Sequence, residues 1–461
     1  MIGRATRRAR AVAVARIGPI VAGRQPIRTD IPPATWGVEI GSNGTLWSDG
    51  LDLAAVAAEH GTPLHVVRGD RLDANAAAVD AADVFYSYKT NPVPVVLNRL
   101  HARGVGAEVI SPYELWLAVR LGVPGERLIY NGPAKSPDSI RMAIRHGALL
   151  VNANSVSEAS LVARLAADER RVVSLGLRVT VPGSWGGQFG ITSMEAAAGA
   201  TRAALDSPWV DLRSLHVHRG ITIRDAATME VYVREVLDRA AELRRRTGWT
   251  PAILDLGGSL ACPTVAAVPW RQFRFNRALG TDLIPPDPAS CLAIADAATI
   301  AAELVGADAA AAGYPVPRIV LEPGRALTGD TQFLLTSVVD VNDGPLPHAV
   351  LDAGINIAEP VTSEYHQLFS VTAPGVPATT GYRLVGPICT PADVLVNHWR
   401  LPPLAPGHVL AIMDTGAYFV PFSTTFSFPK PAIVVQDGPE LRVARRAETY
   451  DDIVSLDHPS V

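Results

Sequence analysis

Lys89 is the residue of this chain whose type and position could most directly do covalent chemistry. It follows the short β-prone run Val84–Tyr88 and is one of only three lysines among 41 basic residues. A lysine amine can lose its proton and attack a carbonyl carbon, whereas an arginine guanidinium stays charged at any working pH. Lys89 therefore indicates a Schiff-base lysine, although a chance lysine at the end of a strand fits this one observation equally well.

Three further groups of chemistry-bearing residues follow apolar runs later in the chain. They are the segments His216–Gly220, Asp255–Ser259 and Glu322–Arg325. Together these segments supply imidazoles, a pair of adjacent glycines, carboxylates and a guanidinium. Each segment by itself has a common structural explanation, such as a buried histidine, a plain turn or a surface salt bridge, so only their convergence would make them a site.

The residue types in these segments fit the parts of one cofactor. Gly257 and Gly258 allow backbone N–H groups to come close to a phosphate, and Arg325 supplies the counter-charge. Glu322 can pair with a protonated ring nitrogen, and His218 can stack on a flat ring. A lysine, a phosphate cradle and a carboxylate for a ring nitrogen together describe a site for pyridoxal 5'-phosphate.

The elements that must hold these residues alternate between strands and helices from Pro63 to Leu321. Eight short apolar runs are predicted to be strands: Asp83–Tyr88, Val105–Ile110, Arg127–Tyr130, Ala148–Val151, Val172–Val179, Asp211–Val217, Ala252–Leu256 and Arg318–Leu321. The amphipathic stretches between them are predicted to be helices: Val93–Arg103, Glu114–Leu121, Pro137–His146, Val156–Ala167 and Asp225–Arg246. This pattern predicts an α/β fold, a (β/α)8 barrel, with a doubly wound open sheet as the alternative. In such a barrel the strand ends converge at one mouth.

The pattern changes after Leu327, where strand-like runs separated by Pro, Gly and Asp predict a β-domain. The runs are Phe333–Val339, Ala349–Leu351, Tyr382–Val385, Val409–Met413 and Ala432–Val435. Trp36–Trp47 also has the pattern of a strand pair. We therefore expect an N-terminal arm over residues 1–35, strands that join the β-domain over 36–62, a cofactor-binding barrel over 63–327 and a C-terminal β-barrel or β-sandwich domain over 328–461.

Composition limits the classes of function and partner. The 461 residues carry a net charge of −4, with 48% apolar and 19% charged residues, so no global charge calls for nucleic acid or an anionic membrane. Cys262, Cys291 and Cys389 fit a reducing cytoplasm and have no paired metal-ligand spacing, so no metal is expected. No apolar run is expected to span a membrane. The Arg-rich segment Met1–Arg28 is predicted to be a plain, disordered arm rather than a transit peptide.

The motifs around these residues resemble those of the fold-type III pyridoxal-phosphate-dependent decarboxylases, the group of diaminopimelate, ornithine and arginine decarboxylases. Diaminopimelate decarboxylase is closest in pattern. Tyr86–Asn91 resembles Tyr-Ala-x-Lys-Ala-Asn, Gly104–Glu114 resembles Gly-x-Gly-x-Asp-x-x-Ser-x-x-Glu, Asn131–Ser136 resembles His-Gly-Asn-x-Lys-Ser, and His216–Gly220 resembles His-x-His-x-Gly. Glu322–Arg325 is the family tetrapeptide, Gly386–Asp393 resembles Gly-Pro-x-Cys-x-x-x-Asp, and Gly416–Tyr418 matches Gly-Ala-Tyr. These segments run in the family's order.

The resemblance implies a fold, an assembly and a role for each matching residue. The barrel would be alanine-racemase-like, and the protein would be a cytoplasmic homodimer with active sites at the subunit interface. Lys89 would form the Schiff base, His218 would stack on the cofactor ring and Glu322 would pair with the pyridine nitrogen. Cys389 of the second subunit would act in returning a proton to Cα. The residues expected at the phosphate are Gly257, Gly258, Ser259, Arg325 and Tyr418.

Two departures from the family pattern concern the cofactor. Ile221 replaces the serine that follows His-x-His-x-Gly, and Thr222 or Ser259 could substitute for its hydroxyl. Glu108 stands where the family has aspartate or alanine. Neither change is expected to abolish cofactor binding.

The substrate side departs further. Glu359 and Pro360 replace the Arg-Pro pair that holds a substrate carboxylate in diaminopimelate decarboxylases, and Thr390 replaces the acid that reads the distal amine. Together with Asp393, Glu359 and Thr390 are the expected substrate-binding residues. A carboxylate at Glu359 would repel a substrate carboxylate. We therefore predict decarboxylation of a different, non-standard or modified, amino acid, with natural-product or siderophore biosynthesis as a plausible setting.

Two other functions stay open. An amino-acid racemase or epimerase on the same barrel would need a second base across the ring from Lys89, and the Gly-Pro-x-Cys context of Cys389 favours decarboxylation over this. A degenerate homologue could bind the cofactor or a partner without catalysis. Such proteins often lose the lysine or the phosphate contacts, which this chain retains.

Overall fold

The computed structural model of this chain describes residues 9, 12–22, 30–79, 83–184, 187–344 and 346–458. The chain forms two compact units. The barrel unit comprises Leu72–Ala261 and Ala289–Thr328, and the β-unit comprises Met1–Arg71, Cys262–Pro288 and Gly329–Val461.

The barrel unit is built on eight parallel strands that close into a barrel. They are β1 (Asp83–Ser87), β2 (Gly106–Val109), β3 (Leu128–Tyr130), β4 (Leu150–Ala153), β5 (Val173–Arg178), β6 (Val210–His216), β7 (Ile253–Asp255) and β8 (Arg318–Leu321). The strand ends agree with the predicted runs to within two residues. Pairing of β8 with β1 closes the sheet, so the (β/α)8 barrel is confirmed and the open doubly wound sheet is excluded.

The barrel helices follow the barrel strands, except for Gly69–Ala77, which precedes β1, and several begin with the same local signal. The helices are Gly69–Ala77, Pro94–Ala102, Pro112–Arg120, Pro137–His146, Val156–Glu169, Met194–Leu205, Ala226–Thr247, Ile294–Ala312 and the short Arg325–Thr328. Five of them begin with a side chain that accepts a hydrogen bond from a backbone N–H of the first turn: Ser111, Ser136, Ser155, Ser193 and Asp225. Such caps fix where each helix begins and so fix the length of the loop after its strand.

The helix Ile294–Ala312 is more apolar than expected. By length and composition alone, the stretch Pro288–Ala312 could cross a membrane, with a mean hydropathy of 1.5, which corrects the expectation that no apolar run reaches that length. Its buried residues recur at every third or fourth position: Ile294, Ala297, Ala301, Val305 and Ala309. That spacing is typical of a helix that packs one face on a core.

The β-unit contains one nine-stranded sheet and two small ones. The main order in the large sheet is Val394–Leu401, Thr380–Val385, His348–Leu351, Gln332–Asn342, Leu64–Arg68, Ala432–Asp437 and Glu440–Arg445, with Leu368–Ser370 and Val409–Ile412 branching from it. The small sheets pair Val38–Ile40, Leu46–Ser48 and Leu51–Asp52, and Ala266–Ala267 with Glu364–Tyr365. The α-helices are Gly18–Ala22, Leu53–His60, Trp270–Leu279, Ile355–Ala358, Phe419–Phe422 and Tyr450–Val454. The predicted separate β-domain is confirmed.

The domain boundaries differ from the predicted ones in two places, and part of the predicted arm forms regular structure. Leu64–Arg68, assigned to the barrel by the sequence, pairs instead with Gln332–Leu335 and Ala432–Gln436 of the β-unit. Cys262–Pro288 also belongs to the β-unit, although it lies within the predicted barrel range. In the predicted arm, the helix Gly18–Ala22 and a 3-10 turn over Pro33–Trp36 are formed. Residues 1–8, 10–11 and 23–29 of that arm lie outside the described residues.

Candidate active site

Lys89 lies at the mouth of the barrel, in the 3-10 turn that follows β1. Its Nζ donates hydrogen bonds to Ser87 Oγ at 2.9 Å and to Glu108 Oε2 at 3.1 Å. Its side chain keeps 32% of its surface exposed, whereas that of Glu108 keeps 1%. The amine is therefore reachable from solvent while its counter-ion is buried beneath it.

A hydrogen-bonded network connects Glu108 to the carboxylates on the far side of the mouth. Asn131, which follows β3, donates through Nδ2 to Glu108 Oε1 at 2.9 Å and to Glu322 Oε1 at 2.6 Å. Asn152 on β4 donates to Asn131 Oδ1 at 2.8 Å and to Asp255 Oδ2 at 3.0 Å. Asp255, the last residue of β7, also shares a hydrogen bond with Glu322. All five side chains are buried, so their geometry is held by one another rather than by water.

Burial favours the protonated form of two carboxyl groups in this network, those of Asp255 and Glu322. Burial raises the pKa of Asp255 to about 7. Burial, and then the nearby charges of Asp255 and Glu108, raise the pKa of Glu322 well above its ordinary range, against the opposing effect of the Lys89 charge. Two buried carboxyls in contact cannot both be ionised cheaply, so the Asp255–Glu322 pair retains a proton near neutral pH. A protonated ring nitrogen beside Glu322 would donate its N–H to this carboxyl group, and Glu322 could then be ionised.

The predicted stacking residue His218 is held by the segment that follows β7. Its Nδ1 accepts a hydrogen bond from Gly258 N at 3.2 Å, and its Nε2 lies 3.4 Å from Ser259 Oγ. Burial, followed by the charges of Lys89 and Arg178, lowers the pKa of His218 to about 3. The imidazole is therefore neutral, which suits a ring that packs face to face against a cationic cofactor ring.

The adjacent glycines are required by close packing. A Cβ on Gly257 would lie 2.7 Å from His218 Nδ1, and a Cβ on Gly258 would lie 2.4 Å from the carbonyl oxygen of Glu322. Gly257 also has a φ of 62°, in the region that favours glycine. Ser259 Oγ accepts a hydrogen bond from Gly220 N at 3.0 Å, which joins this turn to the His216–Gly220 segment. Without side chains at Gly257 and Gly258, the backbone of this turn stays accessible at the mouth of the barrel.

The Glu322–Arg325 tetrapeptide packs directly against the turn that carries Lys89. Ser87 N donates to the carbonyl oxygen of Pro323 at 3.3 Å. A Cβ on Gly324 would lie 2.1 Å from Thr90 Oγ1, so only glycine allows this approach. Arg325 is half-buried and begins the short helix Arg325–Thr328. The turn holding Lys89 and the residues after β8 are thus locked to each other.

These residues surround a cavity of about 110 Å³. It is lined by Lys89, Glu108, Ile110, Asn131, Gly132, Pro133, Arg178, Phe189, His216, His218 and Glu322. Lys89, His218 and Glu322 were predicted from the sequence and are brought together, as the barrel required. The residues also fit pyridoxal phosphate, since an accessible amine, a neutral imidazole and a carboxyl share one cavity beside a glycine turn.

The sequence analysis gave no individual role to several residues of this cavity, although it quoted His216 as part of a motif. Arg178 is the last residue of β5, and its guanidinium carbon lies 4.7 Å from the centre of the Phe189 ring. His216 is the last residue of β6 and is fully buried, and neither of its ring nitrogens has a hydrogen-bond partner among the described residues. Both stand at strand ends, so the rule that located Lys89 could have located them. Asn131 had been quoted only as part of a loop.

One group of ligand-type atoms was not expected. His216, Asp255 and Glu322 offer atoms that all lie within 4.8 Å of one another, a spacing that a metal ion could use. The two carboxyls have raised pKa values and retain a proton, which makes them poor metal ligands near neutral pH. Their arrangement beside the lysine fits a protonated ring better than a metal.

Cys389 and Tyr418 belong to the β-unit, not to the barrel unit. Cys389 is exposed, in the loop between the strands Thr380–Val385 and Val394–Leu401. Tyr418 has a φ of 72° and precedes the short helix Phe419–Phe422, with its ring stacked on Phe422 at 5.9 Å. A positive φ on a tyrosine is strained, which is common where a side chain is aimed for function.

The three predicted substrate-binding residues have different environments. Glu359 is exposed. Thr390 is half-buried, and its Oγ1 accepts a hydrogen bond from Ala392 N at 3.3 Å. Asp393 is buried, and its two oxygens accept hydrogen bonds from Ile355 N and Ile388 N, both at 2.9 Å. These two hydrogen bonds tie together the segments that carry Glu359 and Cys389, and the substrate contact of Asp393 stays a prediction.

Comparisons with known proteins agree with this geometry. Residues 69–329 match the model of the pyridoxal binding domain of pyridoxal-dependent decarboxylases. The chain is 27% identical to a diaminopimelate decarboxylase of Methanothermobacter thermautotrophicus, over 90% of this chain and 96% of the relative. It is 30% identical to a diaminopimelate decarboxylase of Deinococcus radiodurans, over 87% of this chain and 97% of the relative. The crystal structure of a diaminopimelate decarboxylase from M. jannaschii superposes with a TM-score of 0.79 at 25% identity, covering 92% of this chain and 98% of that one.

Proposed function

Because this chain belongs to the pyridoxal-dependent decarboxylase family and is an amino-acid decarboxylase that uses pyridoxal phosphate, we propose that its substrate carries a neutral or cationic distal group. The observation that supports this is Glu359, an exposed carboxylate where the family pattern has an arginine that holds a substrate carboxylate. A carboxylate at this position repels a second carboxylate and attracts an ammonium group.

Pyridoxal phosphate, when bound, accepts the electron pair that a departing carboxylate leaves on Cα. The residues of the barrel unit hold and orient that group. Lys89 would bind it covalently through the amine, His218 would pack on the ring, and Glu322 would pair with the ring nitrogen. Gly257, Gly258, Ser259 and Arg325 would surround the phosphate.

The residues of the β-unit complete the proposal. Tyr418 would add a phosphate contact, and Cys389 would act near Cα when a proton returns there. We propose that they act in a homodimer, with Cys389 supplied by the second copy. Cys389 is exposed on its own unit, as a residue that serves a neighbouring site must be. A dimer interface mutant that runs as a monomer and retains full activity would contradict this arrangement.

Diaminopimelate is the second candidate substrate. It is favoured by the curated relatives, which are named diaminopimelate decarboxylases and cover this chain almost from end to end. No comparison supports the specialised biosynthetic setting expected from the sequence. Only the residues at Glu359 and Thr390 argue for a different distal group.

A panel assay separates the two candidates. The purified chain, loaded with pyridoxal phosphate, is given meso-diaminopimelate, lysine, ornithine and arginine, and released CO2 is measured. We expect lysine or another amino acid with a cationic end to be turned over faster than diaminopimelate. Faster turnover of diaminopimelate would reverse the proposal, and Lys89→Ala serves as the blank for each substrate.

A further inference from the structure

Glu108 has two carboxylate oxygens with separate partners. Its Oε2 accepts from Lys89 Nζ at 3.1 Å and from the Ser87 hydroxyl, and its Oε1 accepts from Asn131 Nδ2 at 2.9 Å. The side chain is 1% exposed. Aspartate, one of the residues of the family pattern at this position, is shorter by one carbon–carbon bond of about 1.5 Å. It could not hold partners on both sides without moving the backbone.

Asn131 makes the second half of this connection. Both hydrogens of its amide are used, one to Glu108 Oε1 and one to Glu322 Oε1, and its oxygen accepts from Asn152. The family pattern has histidine at this position. A neutral imidazole has one N–H and one acceptor nitrogen, so it cannot donate to two carboxylates at once. The glutamate and the asparagine therefore fit each other: the longer acid reaches the amide, and the amide donates to two carboxylates without carrying a charge.

The result is a continuous path of hydrogen bonds across the mouth of the barrel. It runs from Lys89 through Glu108 and Asn131 to Glu322, over contacts of 3.1, 2.9 and 2.6 Å. We propose that Glu108, held by Asn131, is a positioning residue that fixes the Lys89 amine for cofactor binding and links it to Glu322. This inference rests on the proposed role of Lys89 in holding the cofactor.

The charge that Lys89 nitrogen carries when the cofactor is bound is set by all the groups that face it. These are Ser87, Glu108, Asn131, Arg178, His216, His218 and Glu322 around the cavity, and Glu114 on the helix after β2. The carboxylate of Glu108 is in direct contact with Lys89 Nζ, at 3.1 Å. Its negative charge stabilises a protonated nitrogen there, and Asn131 keeps that charge in place.

Visible absorption of the cofactor-loaded protein, titrated with pH, reads the protonation of this nitrogen without any turnover. We expect Glu108→Gln to lower the midpoint of the absorbance change by about 1–2 pH units, because it removes an adjacent opposite charge. Glu108→Asp keeps the charge and should shift the midpoint in the same direction by less. An unchanged midpoint in Glu108→Gln overturns the proposal. If that variant fails to bind the cofactor, an unchanged midpoint in Glu108→Asp overturns it instead.

The matched control is Glu158→Gln. Glu158 is also a barrel carboxylate paired with a lysine, the buried Lys135, at 3.0 Å, and it is not among the described residues that line the cavity. Its removal should lower stability and leave the absorbance midpoint where it is. A shift as large as that of Glu108→Gln would mean that the effect is a general consequence of loosening the barrel, which overturns the positioning role.

Asn131 is tested by a double-variant cycle. If Asn131 acts on Lys89 only through Glu108, the Glu108→Gln/Asn131→Leu protein should have the same midpoint as Glu108→Gln alone. If the midpoint shifts of the two single variants add in the double variant, Asn131 does not act on Lys89 through Glu108, and its part in the proposal is overturned. The parent protein with Lys89→Ala separates this inference from the proposed function. A visible band that survives Lys89→Ala contradicts the role of Lys89, whereas a band lost there but unaffected by Glu108→Gln contradicts only the inference.

Discussion

In the barrel unit the candidate residues Glu108, Asn131 and Glu322 are buried and hydrogen-bonded to one another, whereas in the β-unit Glu359 and Cys389 are exposed. The difference reflects two physical tasks. Holding a charged cofactor ring needs groups that are already desolvated and oriented, and each of them leaves another unsatisfied if it is changed. An exposed side chain on a loop can be exchanged at little cost to folding. Glu359, which departs from the family pattern on the substrate side, is of this second kind.

The largest expected effect comes from the barrel unit. Lys89→Ala removes the amine that would hold the cofactor, so decarboxylation should fall by roughly 10³-fold or more, the scale on which removing a nucleophile acts. The visible band of the cofactor-loaded protein should disappear with it. Steady-state CO2 release and an absorption spectrum check both outcomes. Residual activity near that of the parent would show that the covalent chemistry lies elsewhere.

In the β-unit, we expect the largest loss of stability on substitution of Asp393, which is buried and hydrogen-bonded like the carboxylates of the barrel network. Asp393→Ala leaves the buried N–H groups of Ile355 and Ile388 without acceptors, which should cost about 2–4 kcal/mol in free energy of unfolding. The exposed Glu359→Gln serves as control and should change it by less than about 0.5 kcal/mol. Urea unfolding curves measure the free energy of unfolding of both variants. Equal losses would show that the buried Asp393 contributes no more to stability than the exposed Glu359.

The buried carboxyl pair predicts a pH dependence in the cofactor-free protein. The pKa of Asp255 is about 7 in the folded protein, above the value of about 3.9 for an exposed aspartate, so folding binds its proton more tightly. That contribution to stability is therefore complete below about pH 4 and declines as the pH rises to about 7. Asp255→Asn should flatten the fall in stability between pH 5 and pH 8 by about 1–3 kcal/mol.

Thermal unfolding at the two pH values checks this prediction. The slope, not the absolute stability, is the quantity to compare, because the amide also alters the hydrogen bonds to Gly257 N and Asn152. The exposed carboxylate variant Asp206→Asn is the control and should follow the parent. Parallel curves for the parent and Asp255→Asn would show that this carboxyl does not hold the proton.

The smallest expected effect is on substrate preference. Glu359→Arg reverses one exposed charge, so the ratio of kcat/KM for meso-diaminopimelate to that for lysine should rise roughly fivefold, the scale of an exposed ion pair. Stability should be almost unchanged. Competition assays with both substrates measure the ratio. A ratio that stays constant would mean that Glu359 does not face the substrate, and the difference between the two units would then concern folding alone.

Several parts of this protein could be predicted from its sequence because the signals are local. Most barrel strands are short runs rich in apolar residues, as expected for parallel strands that are buried on both faces. Each of several helices begins at a serine or aspartate that caps it. Lys89, His218 and Glu322 could be placed at one mouth because parallel strands in a barrel end on the same side.

Other features could not be predicted because they depend on partners that are distant in the chain. Leu64–Arg68 is fully buried like a barrel strand, and only its pairing with Gln332–Leu335 and Ala432–Gln436 assigns it to the β-unit. The strand Val394–Leu401 was missed because Asn397 and His398 interrupt its apolar run. Nothing in the local sequence shows that the backbone N–H groups of Ile355 and Ile388 donate to the two oxygens of Asp393.

The sequence by itself determined the strand and helix alternation and the identity of the lysine, histidine and glutamate at the strand ends, because apolar periodicity and strand-end chemistry are local properties. Only the tertiary structure decided that the barrel closes, that Glu108 and Asn131 join Lys89 to Glu322, and that Asp393 accepts hydrogen bonds from Ile355 N and Ile388 N. A hydrogen bond depends on atoms within about 3 Å, and the residues that meet at that distance here come from strands far apart in the chain.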